Sequence, residues 1–339
     1  MPPSPTRESE RRPPRRWLRR LAVASAAATA ALVGLGGVVR ATGSGLGCPG
    51  WPRCFGRWVP PLEYHALIEY SHRAVAALVI VLIALLAALA LLRYRREREV
   101  VATSVLALGL VLLQAGLGAV VVAGELHALL VTAHFATAMV LLGVLVHGAV
   151  VAHTGPPPPP SRGGLVGLAR LCVLATFALL AVGAHVRGEG AGLVFPDWPL
   201  MDGRLVPALD SLPRALHFSH RLLALATGGL LAGLVWRARR ERAPAALASL
   251  AEAALAAFLA QALVGAANVW TGLGTWPVAA HVTLAGVAWA LVVATASAAR
   301  RLPPTWSGWD REGWSWPEGG GMVRPARGAA DASVREREA

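Results

Sequence analysis

Long stretches of apolar residues alternate with short polar segments between residues 18 and 299. Each stretch has about twenty residues or more, which is the length an α-helix needs to cross a hydrocarbon core of about 30 Å. A soluble domain has no need of so many such stretches, and we therefore predict an all-α integral membrane protein. The eight predicted transmembrane helices lie at residues 18–40, 68–92, 99–123, 126–152, 165–187, 214–236, 245–270 and 276–299.

The polar segments and the helices around them occur twice. Several dipeptides of residues 39–60, among them Trp51-Pro52, recur 147 residues later in residues 186–207. A Ser-His-Arg triplet follows each block, and each half also has a Gln twenty residues before a His. A long internal repeat determines the architecture of a chain. It predicts two tandem pseudo-symmetric four-helix bundles, one in residues 18–153 and one in residues 165–301.

Three segments lack the apolar content that a packed core requires. We expect a flexible basic cytoplasmic leader at residues 1–17, a Pro-rich cytoplasmic linker at residues 154–164 and a flexible cytoplasmic tail at residues 302–339. Arg15-Arg16 before an Ala-rich run resembles a twin-arginine secretion signal, which is cleaved. Because the helix that follows recurs inside the chain, we predict that it is retained as a membrane span.

The distribution of charge gives the orientation. The chain has 32 Lys and Arg residues, a net charge of +13 and a hydrophobic fraction of 55%. Most of the arginines lie in the leader, the linker, the tail and two runs at residues 93–98 and 237–242. The positive-inside rule places these segments in the cytoplasm, which predicts a multi-pass protein of the cell membrane, in contact with lipid, with both termini cytoplasmic. This distribution argues against a nucleic-acid partner.

Four histidines lie inside predicted helices and form two matched pairs. His72 and His220 fall near the starts of the second and sixth helices, while His134 and His281 fall early in the fourth and eighth. All four therefore lie at a similar depth, toward the extracytoplasmic side. An ionisable side chain within a membrane span is costly and by default marks a functional site. Hydrogen bonding to a neighbouring helix is the structural alternative.

Two imidazoles from facing helices are suited to the axial ligation of haem iron, because a flat macrocycle fits between the helices. Zinc or copper normally has a third or fourth protein ligand in the same cluster. No Cys, Asp or Glu recurs with the histidine pairs to supply one. The sequence therefore favours haem over these metals.

Arginines repeat close to these histidines. Arg40 and Arg187 lie at the outer ends of the first and fifth helices, and Arg73 and Arg221 directly follow two of the histidines. A guanidinium group at the membrane boundary can pair with both oxygens of a haem propionate. It can equally extend to lipid headgroups, and the sequence leaves both roles open.

Between residues 20 and 300 the chain resembles the haem A synthase family. The likeness is carried by the string Val39-Arg40-Ala41-Thr42-Gly43-Ser44-Gly45-Leu46, by Cys48, Trp51-Pro52 and Cys54, by Glu69-Tyr70-Ser71-His72-Arg73, and by His134-Phe135, His220-Arg221 and His281. The resemblance implies a membrane enzyme that oxidises the C8 methyl group of haem O to the formyl group of haem A, for terminal oxidase assembly. It also implies haem b as a cofactor on His220 and His281, with the substrate haem O near His72 and His134.

The same resemblance implies partners. Haem O synthase and the machinery of terminal oxidase assembly are the proteins expected to act beside this chain. An electron acceptor is needed as well, and a quinone is one candidate that the sequence does not single out.

Glu69 distinguishes the two halves. It lies three residues before His72, one helical turn away on the same face, whereas the aligned position in the second half is His217. A carboxylate there is available for proton transfer or for stabilising a cationic intermediate. A helix N-terminal charge that complements the dipole is the structural alternative, and the resemblance favours the catalytic role.

Two cysteines are a second difference between the halves. Cys48 and Cys54 lie in the first external loop, and their counterparts Phe195 and Met201 cannot form a bridge. Thiols six positions apart on the oxidising side of the membrane predict a disulfide within a tight loop. A structural bridge and, from the resemblance, a redox-active or haem-relay role both stay open.

Two other functions use the same histidines. A di-haem cytochrome b that carries electrons between a quinone and a partner has no need of Glu69 or of the cysteine pair. A haem-handling or oxidase-assembly protein without enzymatic activity binds haem and leaves it unchanged. Analysis of the bound pigments separates all three functions.

Overall fold

The structure is a computed structural model that describes residues 15–154 and 163–301. Most of the predicted leader, most of the predicted linker and the whole predicted tail lie outside the described residues. Eight helices account for most of the described chain: α1 (Arg16–Ala41), α2 (Tyr64–Arg93), α3 (Arg98–Ala123), α4 (Ala128–Thr154), α5 (Gly164–Gly188), α6 (Leu212–Arg240), α7 (Ala245–Trp270) and α8 (Thr275–Ala299). All eight are long and apolar enough to cross a membrane. The predicted all-α fold and its eight spans are confirmed.

The four helices of each half pack in a ring. In the first half α2 and α4 each pack against α1 and α3, and in the second half α6 and α8 each pack against α5 and α7. Within the described residues α2 and α4 have at most marginal contact with each other, and the same holds for α6 and α8. The members of these two pairs therefore face each other diagonally across their rings.

Each ring has its own apolar core, and a third core joins the halves. The first is built around residues such as Ile83 and Leu141, and the second around residues such as Leu234. The third core lies among α1, α4, α5 and α8, where Trp289 donates a hydrogen bond of 2.7 Å to the backbone carbonyl of Met139. The helices that carry His134 and His281 thus pack against each other at the centre of the molecule.

Two long connections lie at the same end of the helices, and we call this end the loop end. Residues 42–63 join α1 to α2 and residues 189–211 join α5 to α6. Each connection begins with a short 3₁₀ turn, at Ser44–Leu46 and at Ala191–Leu193. Each also has one isolated antiparallel bridge, Cys54 with Arg57 and Met201 with Arg204. The repeated sequence therefore forms the same local structure twice.

Candidate functional site

The four histidines lie on the helices that face each other diagonally. His72 is on α2 and His134 on α4, while His220 is on α6 and His281 on α8. Within each pair the two imidazoles are near enough for their charges to interact. The structure thus forms the two pairs that the repeat predicts, one in each half.

In the second half both imidazoles pack tightly against glycines of neighbouring helices. A Cβ atom added at Gly183 of α5 would lie 2.8 Å from Cε1 of His220, and one at Gly265 of α7 would lie 3.1 Å from Cε1 of His281. Cβ atoms essentially never approach other atoms as closely as 2.8 Å. A side chain at Gly183 would therefore displace the imidazole.

In the first half two glycines also face the paired histidines, and the contact at His72 is wider than the matching contact at His220. A Cβ atom added at Gly118 of α3 would lie 3.3 Å from Cε1 of His134. One added at Gly36 of α1 would lie 3.4 Å from Nε2 of His72, at the edge of ordinary van der Waals contact. His72 therefore has more room at its glycine than His220 has.

Three of the four paired histidines have one ring nitrogen buried without a hydrogen-bond partner. This atom is Nδ1 in His134, His220 and His281. Across the described ranges no group of three or more His, Cys, Asp or Glu residues is arranged to hold a metal ion. Paired imidazoles without further ligands fit an iron porphyrin better than zinc or copper.

Glu69 is hydrogen-bonded to the loop that contains the disulfide. Its side chain is buried, with 4% of the residue exposed. One carboxylate oxygen accepts a hydrogen bond of 2.8 Å from the backbone N–H of Cys48, and the other pairs with the Arg73 guanidinium. Since α2 begins at Tyr64 and its first turn has no acidic residue, Glu69 is not the helix N-terminal charge of the structural alternative.

The predicted disulfide is present, and Arg73 holds its loop. Cys48 and Cys54 are bonded and buried. The guanidinium of Arg73 donates to the backbone carbonyls of Cys48 at 2.8 Å and Gly50 at 2.9 Å. These bonds and the ion pair with Glu69 occupy Arg73, which leaves it less suited to a haem propionate than the sequence alone indicates.

The second loop is held in a similar way without a disulfide. Arg221 donates to the backbone carbonyls of Leu200 at 2.9 Å and Asp197 at 3.1 Å. The Asp197 carboxylate accepts hydrogen bonds from the backbone N–H groups of Gly203 and Asp202, which hold the pKa of this carboxyl below its ordinary value. A carboxylate thus closes the second loop where a disulfide closes the first.

His217 takes the place of Glu69 in the second half. Its Nδ1 lies 3.0 Å from the backbone carbonyl of Ala191, and its Nε2 accepts a hydrogen bond of 3.1 Å from Arg221. The same buried position therefore has a carboxylate in the first half and an imidazole in the second. Each side chain contacts the arginine four residues later, Arg73 in the first half and Arg221 in the second. Within the described residues, the position three residues before the first histidine of each pair is acidic in the first half and not in the second.

Arg40 and Arg187 differ from the other two arginines. They lie in the last turns of α1 and α5. Arg40 makes one long contact, 3.5 Å from its Nη2 to the backbone carbonyl of Arg187, and Nε of Arg187 is buried without a partner. Their guanidinium groups remain available for an anionic ligand.

The glycine contacts are the functional feature that sequence reasoning missed. Gly36 and Gly183 are related by the same 147-residue offset as the repeated dipeptides, and so are Gly118 and Gly265. A glycine at matching positions of two repeated apolar helices indicates a close contact with a neighbouring helix. This signal is weak in the sequence because many other glycines also occur in these helices.

Comparison with known proteins agrees with this geometry. A sequence model of the COX15-CtaA family, described as cytochrome oxidase assembly protein, matches residues 19–293. The chain is 33% identical over 263 residues to the Heme A synthase of Symbiobacterium thermophilum, covering 74% of this chain and 84% of that protein. It is 34% identical over 215 residues to the Heme A synthase of Halalkalibacterium halodurans (60% and 71% covered) and 30% identical over 327 residues to that of Caulobacter sp. strain K31 (82% and 91% covered). The matched range contains all four histidines, Cys48, Cys54 and Glu69, and the chain belongs to the COX15-CtaA family of cytochrome oxidase assembly proteins.

Proposed function

We propose that this protein is a haem A synthase, an oxidoreductase that converts the C8 methyl group of haem O to the formyl group of haem A. The observation that carries this proposal is the difference between two otherwise matched histidine pairs. Among the described residues, the first half alone has a buried carboxylate one turn before a paired histidine and a disulfide loop hydrogen-bonded to that carboxylate. An electron carrier with two equivalent haems has no need of this difference. Relatives named Heme A synthase support the same function.

The second half, residues 165–301, is proposed to hold haem b as a permanent cofactor. His220 and His281 ligate its iron, and Gly183 and Gly265 keep the two imidazoles against their neighbouring helices. When bound, haem b supplies one-electron transfer. The tight glycine contacts support this assignment, because a cofactor that stays bound benefits from fixed ligands.

The first half, residues 18–153, is proposed to hold the substrate haem O near His72 and His134. The wider contact between Gly36 and His72 supports this, because a substrate has to enter and leave. The two halves are proposed to be a pseudo-symmetric tandem pair, in agreement with their matching helix order and loops.

Glu69 is proposed to take part in proton transfer at the substrate site. Oxidation of a methyl group requires protons to leave together with electrons, and a positioned carboxylate accelerates such transfers. The Cys48 N–H and the Arg73 guanidinium hold the carboxylate in one place on the helix of His72.

The Cys48–Cys54 disulfide is proposed to be redox-active. The second loop keeps the same 3₁₀ turn and bridge with Phe195 and Met201 in place of the cysteines. Shape alone therefore does not explain the disulfide. The hydrogen bond from the Cys48 backbone N–H to Glu69 supports a link between the disulfide loop and the proposed substrate site.

The orientation and partners complete the proposal. The protein lies in the cell membrane with its loop end extracytoplasmic and both termini cytoplasmic, as the arginine distribution indicates. Haem O synthase provides the substrate, the terminal oxidase assembly machinery receives the product, and a quinone is a candidate electron acceptor.

The test is extraction and chromatography of haems from cells that express this chain beside a haem O source. We expect haem A in these cells and only haem O in cells without the chain. Bound haem b with haem O left unchanged would indicate an electron carrier or a haem-handling protein instead.

A further inference from the structure

Arg40 and Arg187 each lie one helical turn beyond a glycine that touches a haem-ligand histidine. Arg40 follows Gly36 by four residues on α1, and Arg187 follows Gly183 by four residues on α5. Residues four apart lie on the same face of a helix. Each arginine therefore lies on the helix face whose glycine contacts a histidine of the same half.

These two arginines also meet each other, although they come from different halves. The Nη2 atom of Arg40 lies 3.5 Å from the backbone carbonyl of Arg187. The Arg40 guanidinium is partly buried, and the charge of Arg187 acts on it. We call Arg40 and Arg187 the arginine pair. It lies at the loop end, in the last turns of α1 and α5.

The arginine pair has no acidic partner in residues 15–154 and 163–301, where every recorded ion pair involves other arginines or a histidine. Nε of Arg187 is buried without any acceptor. Two neighbouring positive charges that are partly removed from water repel each other, and an unsatisfied charged donor is costly. Such an arrangement calls for an anionic ligand with oxygen acceptors.

Resting on the proposed function, we propose that the arginine pair is a single anion-binding site shared by the propionates of both haems. Planar guanidinium groups match carboxylates through paired hydrogen bonds. A porphyrin held by His220 and His281 with its propionate edge toward the loop end brings a carboxylate to Arg187. One held by His72 and His134 brings a carboxylate to Arg40.

A shared site has a consequence that two separate sites lack. Each guanidinium acts on both haems, so Arg40 of the first half affects haem b in the second half. A positive charge near a haem favours the reduced iron, which has one positive charge fewer. Removing either arginine should therefore lower the midpoint potential of haem b.

The first experiment is a spectroelectrochemical titration of haem b in the purified full-length protein. Arg40→Gln and Arg187→Gln should both lower the midpoint potential, and Arg40→Lys, which keeps the charge, should lower it less. Arg204→Gln is the matched control, because Arg204 lies exposed in the second loop, and it should leave the potential unchanged. A potential that responds to Arg187→Gln alone would overturn the shared site. A wild-type protein that binds no haem would instead overturn the proposed function.

The second experiment identifies the ligand. Haem-depleted protein is titrated with protohaem and with protohaem dimethyl ester, whose propionates are uncharged. The free acid should bind about tenfold more tightly or better, and Arg40→Gln should reduce this preference. The titration is repeated in nanodiscs of phosphatidylcholine with and without phosphatidylglycerol. Equal binding of acid and ester, or a preference that the anionic lipid abolishes, would mean that the arginine pair does not bind propionates.

Discussion

Glu69 accepts a hydrogen bond of 2.8 Å from the backbone N–H of Cys48. This contact joins the helix that carries His72 to the disulfide loop, and Arg73 strengthens it by bonding both partners. In the second half the aligned position is His217, which contacts a backbone carbonyl and has no disulfide nearby. Within the described residues the two halves therefore differ at this position, because the first half joins a carboxylate on the helix of His72 to a disulfide loop.

The first prediction concerns the charge of Glu69. Glu69→Gln keeps an oxygen acceptor for the Cys48 N–H but removes the negative charge, so the loop should keep its place while proton transfer is lost. Conversion of haem O should fall by roughly 10²–10⁴, and the haem b spectrum should be retained because its ligands lie in the other half. The measurement is chromatography of the bound haems beside an absorption spectrum. His217→Gln is the matched control and should be much milder. Equal damage from the two variants would refute a catalytic role for Glu69.

The second prediction concerns the disulfide. Because Arg73 and Glu69 also hold the first loop, the double variant Cys48→Ser, Cys54→Ser should keep the haem b spectrum and lose haem A formation. In the unmodified protein both thiols should resist alkylation until a reductant is added, and Cys172, which is buried in α5, should react only after unfolding. A serine variant with full activity would show that the bridge has no redox role.

The third prediction compares two glycines. An added Cβ would lie 2.8 Å from His220 at Gly183 but 3.4 Å from His72 at Gly36. Gly183→Ala should therefore displace the His220 imidazole, at a cost of about 1–3 kcal/mol for overpacking, and change the low-spin haem b spectrum. Gly36→Ala should leave that spectrum intact. Absorption spectra of the two purified variants test this, and the reverse order of effects would contradict the assignment of the tight site to haem b.

The fourth prediction concerns orientation in the membrane. Reporter fusions after residues 60, 125, 200 and 273 should report the extracytoplasmic side, because these positions lie in or next to connections at the loop end. Fusions near residues 96, 160, 240 and 310 should report the cytoplasm. An N-terminus found cleaved near residue 40 would contradict the eight-helix arrangement.

Much of the fold follows directly from the sequence. The eight apolar stretches predict the helices to within a few residues, because length and hydropathy are what a membrane span requires. The largest differences are the start of α2, at Tyr64 instead of residue 68, and the end of α6, at Arg240 instead of residue 236. These ends consist of polar or amphipathic residues, which hydropathy does not mark as helical.

The candidate site could be predicted only in part. The four paired histidines stand out because an ionisable residue in an apolar helix is rare, and the repeat pairs them. The bond between Glu69 and Cys48 was not predictable, because it depends on how a 22-residue connection folds back onto α2. Nor was the contact of Arg40 with Arg187, which depends on how the two halves pack.

The most direct test of the account compares His72→Ala with His220→Ala for both haem b and haem A. Each purified variant is examined by absorption spectroscopy, and its bound haems are extracted and separated by chromatography after expression beside a haem O source. His72→Ala should retain the low-spin haem b spectrum and contain no haem A, whereas His220→Ala should lose that spectrum because one axial ligand is gone. Loss of haem b in His72→Ala, or haem A formed by His72→Ala at the wild-type level, would contradict the division into a substrate half and a cofactor half.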